Sequence, residues 1–268
     1  MTDSSDRKKK IRLTPVSIFH YVRLIYRSFL FIATFILYFA ARFTGREAIK
    51  EPWIHFPFIT WLVWGVFMAE MLMRFFPSRL ESPGSQKQFV KNYIKSGEVN
   101  ISIQDNNATM LVALIWISFN AVFGALYMLD LFDDGIMVLI SLCYSVCDMI
   151  CILFFCPFQS WFLKNKCCTT CRIYNWDYAM MFTPLFFIRD FYAWSLFAMS
   201  LILMLRWEIT FYRHPERFSE KTNEYIRCEN CTEKLCAHKN QLHSLWKKTA
   251  ELTAKKTAFL KDGSSTEK

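Results

Sequence analysis

The sequence lacks the short motifs by which soluble enzymes of the common classes are recognised. Its 268 residues contain no phosphate-binding loop, no HExxH metalloprotease motif, no GxSxG nucleophile elbow and no GxGxxG dinucleotide fingerprint. No soluble catalytic domain is visible, and the sequence leaves open whether the chain is an enzyme.

Negative charge is also scarce. The 23 Asp and Glu residues stand against 32 Lys and Arg residues, which gives a net charge of +9. The excess cations are scattered along loops beside apolar runs, without interleaved exposed aromatic residues or a recognisable nucleic-acid-binding module. We therefore expect no nucleic acid as partner, because the anionic headgroups of a lipid bilayer explain this charge better.

Long apolar runs are what the sequence does contain, and they set the fold class. The chain is 53% hydrophobic, and its runs approach the ~20 residues that cross a hydrocarbon core of about 30 Å. Backbone groups in lipid must be hydrogen-bonded internally, so these runs are helical. The sequence predicts an all-α, multi-pass membrane protein with four transmembrane helices, at 28–43, 53–76, 109–129 and 135–158.

A fifth apolar segment, 179–205, is ambiguous. It contains Pro184 and the adjacent charges Arg189 and Asp190. With the charged pair at the interface, the remaining 17 residues of 191–207 reach the lower limit for a spanning helix. The segment either crosses the membrane or is re-entrant, and a re-entrant segment requires cover for its free backbone groups.

The distribution of charge predicts the orientation. A basic stretch at 7–12 leads into the first span without a small-residue cleavage site, so we expect an uncleaved anchor with a cytoplasmic N-terminus, in a plasma or inner membrane. The loop at 74–95 is basic, whereas the connection at 130–134 carries three aspartates and no cation. A fifth crossing would place the basic residues after 205 outside, which conflicts with this rule. We favour the re-entrant alternative, although the length of the segment favours crossing.

Two amphipathic stretches lie outside the spans. Residues 85–96 place apolar side chains on one stripe and lysines elsewhere, which predicts an interfacial helix. Residues 241–261 repeat this pattern and predict a helix that lies on anionic lipid, binds a partner protein or packs on its own domain. The predicted organisation is a basic tail (1–15), a transmembrane domain (16–205), a cysteine-rich juxtamembrane cap (206–240 with 164–178), and an amphipathic helix followed by a disordered tail (241–268).

Two groups of cysteines flank the fifth segment, and each contains a C-x-x-C pair. Two such pairs separated by a long insert can supply four thiolates to one tetrahedral ion. Cationic neighbours on both groups favour the thiolate form. The predicted ligands are Cys168, Cys171, Cys228 and Cys231, with Cys167, Cys236 and His238 as alternatives. The run from Cys228 to His238 also holds most of a site by itself.

The identity of the bound group stays open at this point. Zinc is the default, because four sulfur ligands in tetrahedral geometry suit it and a structural role requires nothing else. An iron–sulfur cluster uses the same ligands, and disulfides, free thiols or a redox dithiol are further alternatives. Cys143, Cys147 and Cys151 recur every four residues of the fourth span, where cysteine serves most simply as a small apolar packing residue.

Ionisable residues within the spans form a second candidate site. Asp148 lies near the middle of the fourth span, where a carboxylate must be protonated, paired or in contact with water. We predict a contact with Asn120 of the third span, and a wider polar group that includes Glu70. Glu70 and Arg74 are spaced to pair with each other, and Arg23 and Arg27 are expected to extend to the headgroups.

The sequence as a whole therefore predicts an integral membrane protein with a juxtamembrane cysteine-bound metal, acting as a scaffold or regulatory subunit. The alternatives are a membrane redox protein with an iron–sulfur cluster or dithiol, and a small transporter that uses Asp148.

Overall fold

The computed structural model describes residues 14–44, 57–98, 100–101, 106–163 and 167–231. The regular structure within these ranges is helical, and no strand is present there. The α-helices are α1 (Pro15–Thr44), α2 (Pro57–Met73), α3 (Pro83–Gln86), α4 (Asn106–Met128), α5 (Asp134–Leu153), α6 (Asp177–Phe182) and α7 (Phe191–Arg213).

Four of these helices, α1, α4, α5 and α7, are long and apolar enough to cross a membrane, which supports a multi-pass membrane protein. The α2 helix is also apolar but has only 17 residues, and the first part of its predicted span lies outside the described residues. Helix α1 presents its apolar side chains outwards: Ile25, Phe29, Ile32 and Ile36 are each more than half exposed. Such a stripe suits contact with lipid rather than with water.

The fifth apolar segment enters the bundle and returns to the end at which it began. Helix α6 and a 3-10 helix (Thr183–Phe187) run into the bundle, and α7, which is long and apolar enough to cross a membrane, runs back. Pro184 has no N–H group and sits at the start of the 3-10 helix, where the α-helical pattern ends. Asp190 then starts α7, because its carboxylate accepts a hydrogen bond from the Tyr192 N–H (2.8 Å).

Contacts at the two ends of the bundle establish these directions. Asp177, at the start of α6, is ion-paired with Arg74 just after α2, whereas Phe187 packs on Tyr127 near the far end of α4. Helix α7 begins beside Trp61 of α2 and ends where Trp207 donates to the Arg172 carbonyl. The segments before α6 and after α7 therefore lie at the same end of the bundle, which removes the conflict that a single crossing would create.

Helix α6 lies in the centre of the core. Tyr178 and Met181 are almost fully buried, and Phe182 packs edge-on against Phe67 of α2 (5.3 Å between ring centroids). Gly124 of α4 admits the ring of Phe187, because a Cβ atom at that position would overlap it. A short helix can cross here because other helices, and not lipid, cover its exposed backbone ends.

A cap covers the end of the bundle at which both cysteine groups lie, and it consists of residues 78–98, 167–176 and 214–231. The predicted interfacial helix at 85–96 is not continuous: α3 stops at Gln86, and a 3-10 turn (Val90–Asn92) follows. Its backbone pairs instead with the chain after α7, since the Ser96 N–H donates to the Thr222 carbonyl (3.0 Å) and the Glu224 N–H to the Ile94 carbonyl (2.9 Å). The predicted C-terminal helix at 241–261 lies outside the described residues.

Candidate functional site

Two arginines of α1 point into the bundle. The sequence had led us to expect that these side chains extend to the lipid headgroups instead. Both Arg23 and Arg27 are about 99% buried or more, and both are ion-paired with Glu70 of α2, at 3.0 Å (Nε–Oε1) and 2.7 Å (Nη2–Oε2). The hydroxyls of Tyr26 and Tyr178 donate to the same carboxylate. Burial is tolerated because each guanidinium lies against a carboxylate of opposite charge, to which the two hydroxyls also donate.

Arg74 extends this network towards the cap. Its guanidinium forms a two-point contact with the Asp177 carboxylate, at 2.8 Å (Nη1–Oδ1) and 2.7 Å (Nη2–Oδ2). It also approaches Glu81 (3.8 Å), which is paired with Arg23 at 2.7 Å. The expected pairing of Glu70 with Arg74 is wrong, because the two side chains turn to different partners.

Asp148 is also engaged by α1. Its Oδ2 atom lies 3.2 Å from Nη1 of Arg27. The predicted contact with Asn120 is wrong: the Asn120 amide donates to the Trp116 carbonyl, one turn earlier on its own helix. The ring of Trp116 packs on Tyr144 (4.6 Å), and this register of the antiparallel helices puts Asn120 about 12 Å along the axis from Asp148. Of the three predicted polar residues, the structure therefore brings together only Glu70 and Asp148.

The result is one buried charge network, defined as Arg23, Arg27, Glu70, Arg74, Glu81, Asp148 and Asp177. It joins α1, α2, α5, α6 and the cap. Charged groups removed from water are stable only when paired, so each helix is held in the position that its partner requires. The signal in the sequence was the presence of ionisable residues on three otherwise apolar helices, but spacing along one helix does not identify partners on another.

The network makes stability depend on pH through Glu81. Burial alone would raise the pKa of Glu81, but Arg74 and Arg23 hold this pKa below its usual value. A lowered pKa in the folded state means that the stabilisation is present above the ordinary glutamate pKa of about 4.3 and is lost as the pH falls through the folded value. We expect Glu81→Gln to lower the unfolding temperature in detergent micelles at pH 7, with a difference from wild type that shrinks in acid.

The matched control is Glu98→Gln, whose side chain is 59% exposed beside Arg227. This variant should unfold close to wild type throughout the pH range, since exposed pairs contribute little. A difference between wild type and Glu81→Gln that stayed constant from neutral pH to pH 3 would contradict the assigned role of Glu81.

Next to Asp148 lies a cavity of about 120 Å³ that is rich in thiols. Two of the three cysteines of the stripe on α5 face it, together with two cysteines of the cap. Cysteines in its lining are Cys147, Cys151, Cys156, Cys168 and Cys171. Asp148 and Asp177 of the charge network also border the cavity. We refer to it below as the thiol cavity.

Each C-x-x-C pair closes a tight turn. The Cys171 N–H donates to the Cys168 carbonyl (3.2 Å), and the Cys231 N–H donates to the Cys228 carbonyl (3.4 Å). A turn of this kind brings the first and last residues of a C-x-x-C motif close together. None of the nine described cysteines forms a disulfide.

The two pairs face different surroundings. Cys171 is 5% exposed and, with Cys168, borders the thiol cavity, whereas Cys228 is exposed and Cys231 half-buried. Within the described ranges no group of three or more His, Cys, Asp and Glu residues is arranged to hold a metal ion. The alternative ligands Cys236 and His238 lie outside those ranges, and the four-thiolate set stays a prediction.

Burial opposes the thiolate form that the cationic neighbours were expected to favour. It raises the pKa of Cys171 to about 12, an effect that Cys168 reinforces and Lys87 opposes. Arg172, one of those neighbours, is directed elsewhere and pairs with Glu208 (2.8 Å). The Cys171 thiol is therefore protonated at neutral pH unless an ion displaces the proton.

Lys87 is a residue of the cap whose role the sequence did not reveal. It was expected on the solvated face of an interfacial helix but is fully buried, with its Nζ donating to the carbonyls of Thr169 (2.7 Å) and Cys171 (3.2 Å). The ring of Trp207 lies 5.1 Å from the same atom. Burial lowers the pKa of Lys87 to about 8. Its two hydrogen bonds fix the backbone of the first cysteine group.

Comparison of this chain with protein-family models, with curated proteins and with solved structures found no match. Any function proposed for it rests on its own residues and their geometry.

Proposed function

We propose that this chain is a multi-pass membrane scaffold or regulatory subunit whose cap is stapled by a cysteine-bound metal ion, with zinc as the resident ion. The observation that supports this is that both C-x-x-C pairs belong to one cap and that each closes the turn required of a bidentate thiol ligand. A structural zinc ion adds folding free energy to small, loop-rich elements such as this cap.

Two ligand sets are compatible with the proposal. One ion is shared by Cys168, Cys171, Cys228 and Cys231, or Cys228 and Cys231 bind it with Cys236 and His238. The second set has more support. Cys228 is exposed and Cys231 half-buried, whereas Cys168 and Cys171 border the thiol cavity, and the described residues contain no group of three or more ligands that would join the two pairs. Four ligands of sulfur and nitrogen suit tetrahedral zinc in either case.

The buried charge network supports a scaffold function rather than transport. Its arginines and carboxylates pair across several helices and hold these helices in fixed positions relative to one another. The transporter alternative loses support, because Asp148 is paired with Arg27 and separated from Asn120. Partner binding is assigned to the predicted amphipathic helix at 241–261, which suits anionic lipid or a partner protein.

The cap end is proposed to face the cytoplasm of a plasma or inner membrane. The loop that forms part of the cap carries Lys91 and Lys95, both exposed, whereas Asp130, Asp133 and Asp134 mark the connection at the other end of the bundle. Positive charge in short loops marks the cytoplasmic side.

Metal analysis of three proteins tests the proposal. We expect wild-type protein, purified anaerobically in detergent, to contain stoichiometric zinc, and Cys228→Ser/Cys231→Ser to lose it. Cys168→Ser/Cys171→Ser keeps the zinc if the C-terminal ligand set is correct and loses it if the ion is shared. Wild-type protein without zinc, or a Cys228→Ser/Cys231→Ser variant that retains it, overturns the proposal. Stoichiometric iron with absorption near ~400 nm overturns it in favour of the redox alternative.

A further inference from the structure

The thiol cavity brings together cysteines that are far apart in the sequence. Cys147 and Cys151 come from the stripe on α5, and Cys156 follows the end of that helix at Leu153. Cys168 and Cys171 reach the same cavity from the cap. The simplest interpretation of the stripe, small residues packed against another helix, does not account for thiols that face a cavity beside a carboxylate.

Two of these thiols are neighbours: the side chains of Cys151 and Cys156 interact with each other and both line the cavity. Cys168 Sγ lies 3.5 Å from Oε1 of Gln159, another residue of the cavity lining. A close pair of thiols is therefore already present, and further sulfur atoms lie around the same space.

The number of ligands selects the class of ion. Zinc in proteins takes four ligands, and no group of three or more candidate ligands is arranged for a metal in the part of the chain that the structure describes. A soft, monovalent ion such as copper(I) selects thiolates, and two of them suffice for linear coordination. Cys151 and Cys156, which border the same cavity as neighbours, meet that requirement.

We infer that the thiol cavity binds a soft monovalent metal ion of the copper(I) class through the sulfur atoms of Cys151 and Cys156. Two S–H bonds break and two metal–sulfur bonds form, the two protons leave to solvent, and no electron is transferred. Cys168 and Cys171, the cysteines of the cap that border the cavity, provide further sulfur atoms at the cap end of the bundle. Cys151 and Cys156 belong to neither of the zinc ligand sets proposed above.

Silver(I) is the probe for the test, because it has the same charge and softness as copper(I) and does not change oxidation state under these conditions. Reduced protein, stripped of metal, is titrated with silver(I) in the presence of a competing small dithiol, and the silver retained after gel filtration is measured. We expect wild type to retain one equivalent more than Cys151→Ser/Cys156→Ser, because the pair of Cys228 and Cys231 also binds silver once its zinc has been removed. Cys151→Ser/Cys156→Ser should bind this equivalent more than roughly tenfold more weakly, since the loss of direct ligands exceeds the effect of losing their supporting contacts.

The matched control is Cys228→Ser/Cys231→Ser, which removes a C-x-x-C pair outside the cavity lining and should retain the silver of the cavity. Its loss of zinc with retention of this silver would separate the two proposals. Wild type without retained silver, or equal retention by Cys151→Ser/Cys156→Ser, overturns the inference. If that variant does not fold, alkylation of wild type decides the question: silver must protect Cys151 and Cys156 from iodoacetamide, and their undiminished labelling overturns the inference.

Discussion

Glu70→Gln is expected to destabilise the bundle by about 3–5 kcal/mol, the usual cost of removing one partner from a buried ion pair. The substitution keeps the size of the side chain but removes the charge that Arg23 and Arg27 share, at 3.0 and 2.7 Å, and these arginines have almost no exposure to water. The measurement is thermal or SDS-induced unfolding in micelles, followed by tryptophan fluorescence.

The control uses an ion pair on the surface of the same chain. Arg42 and Asp133 lie 3.6 Å apart with side chains 66% and 38% exposed. Arg42→Met should change the stability by no more than about 0.5 kcal/mol, because water screens such a pair. Equal effects of the two substitutions would mean that the buried network does not hold the helices together.

Trp207→Ala is expected to cost about 3–5 kcal/mol through the cavity that it leaves and to release the cap from the bundle. Trp207 is fully buried, its Nε1 donates to the Arg172 carbonyl (3.0 Å), and its ring meets Phe218 edge-on (5.0 Å). It therefore joins α7 to two segments of the cap. Faster hydrogen exchange at 167–176 and 214–231, together with a lower unfolding temperature, is the expected result.

Trp161→Ala serves as the comparison, because that side chain is 67% exposed. It should leave both the exchange of the cap and the unfolding temperature near those of wild type, as surface substitutions usually do. Unchanged exchange in the cap of Trp207→Ala would refute the role assigned to Trp207.

The sequence was a reliable guide where a property depends on one segment alone. Three of the predicted spans, at 28–43, 109–129 and 135–158, correspond to the long helices α1, α4 and α5, because the length and apolarity of a run decide by themselves whether a helix can cross lipid. The second span is shorter than predicted within the described residues, and the interfacial helix at 85–96 is broken. The stretch at 85–96 does have an amphipathic pattern, but the buried hydrogen bonds of Lys87 hold it in a conformation other than one continuous helix.

The candidate sites depended on pairs of segments, and here the sequence was less informative. Arg27 was identified as a charge near the membrane, yet nothing in its own neighbourhood indicates that Glu70 and Asp148 would meet it. The predicted contact of Asp148 with Asn120 failed because the register between α4 and α5 is set by packing such as that of Trp116 on Tyr144. A shift of a few residues along a helix moves a side chain several ångströms in depth.

The amino-acid sequence by itself determined the class of this protein: an all-helical chain with membrane-length apolar helices, a basic and an acidic set of connections, and two C-x-x-C turns. These follow from local composition, since apolar length, backbone hydrogen bonding and short-range turns require no distant partner. Only the tertiary structure decided that the fifth apolar segment enters the bundle and returns, that the arginines of α1 face inwards, and that cysteines of α5 and the cap border one cavity. Each of these depends on which helix covers which, and a buried charge or a short broken helix is stable only when another part of the chain replaces the water it has lost.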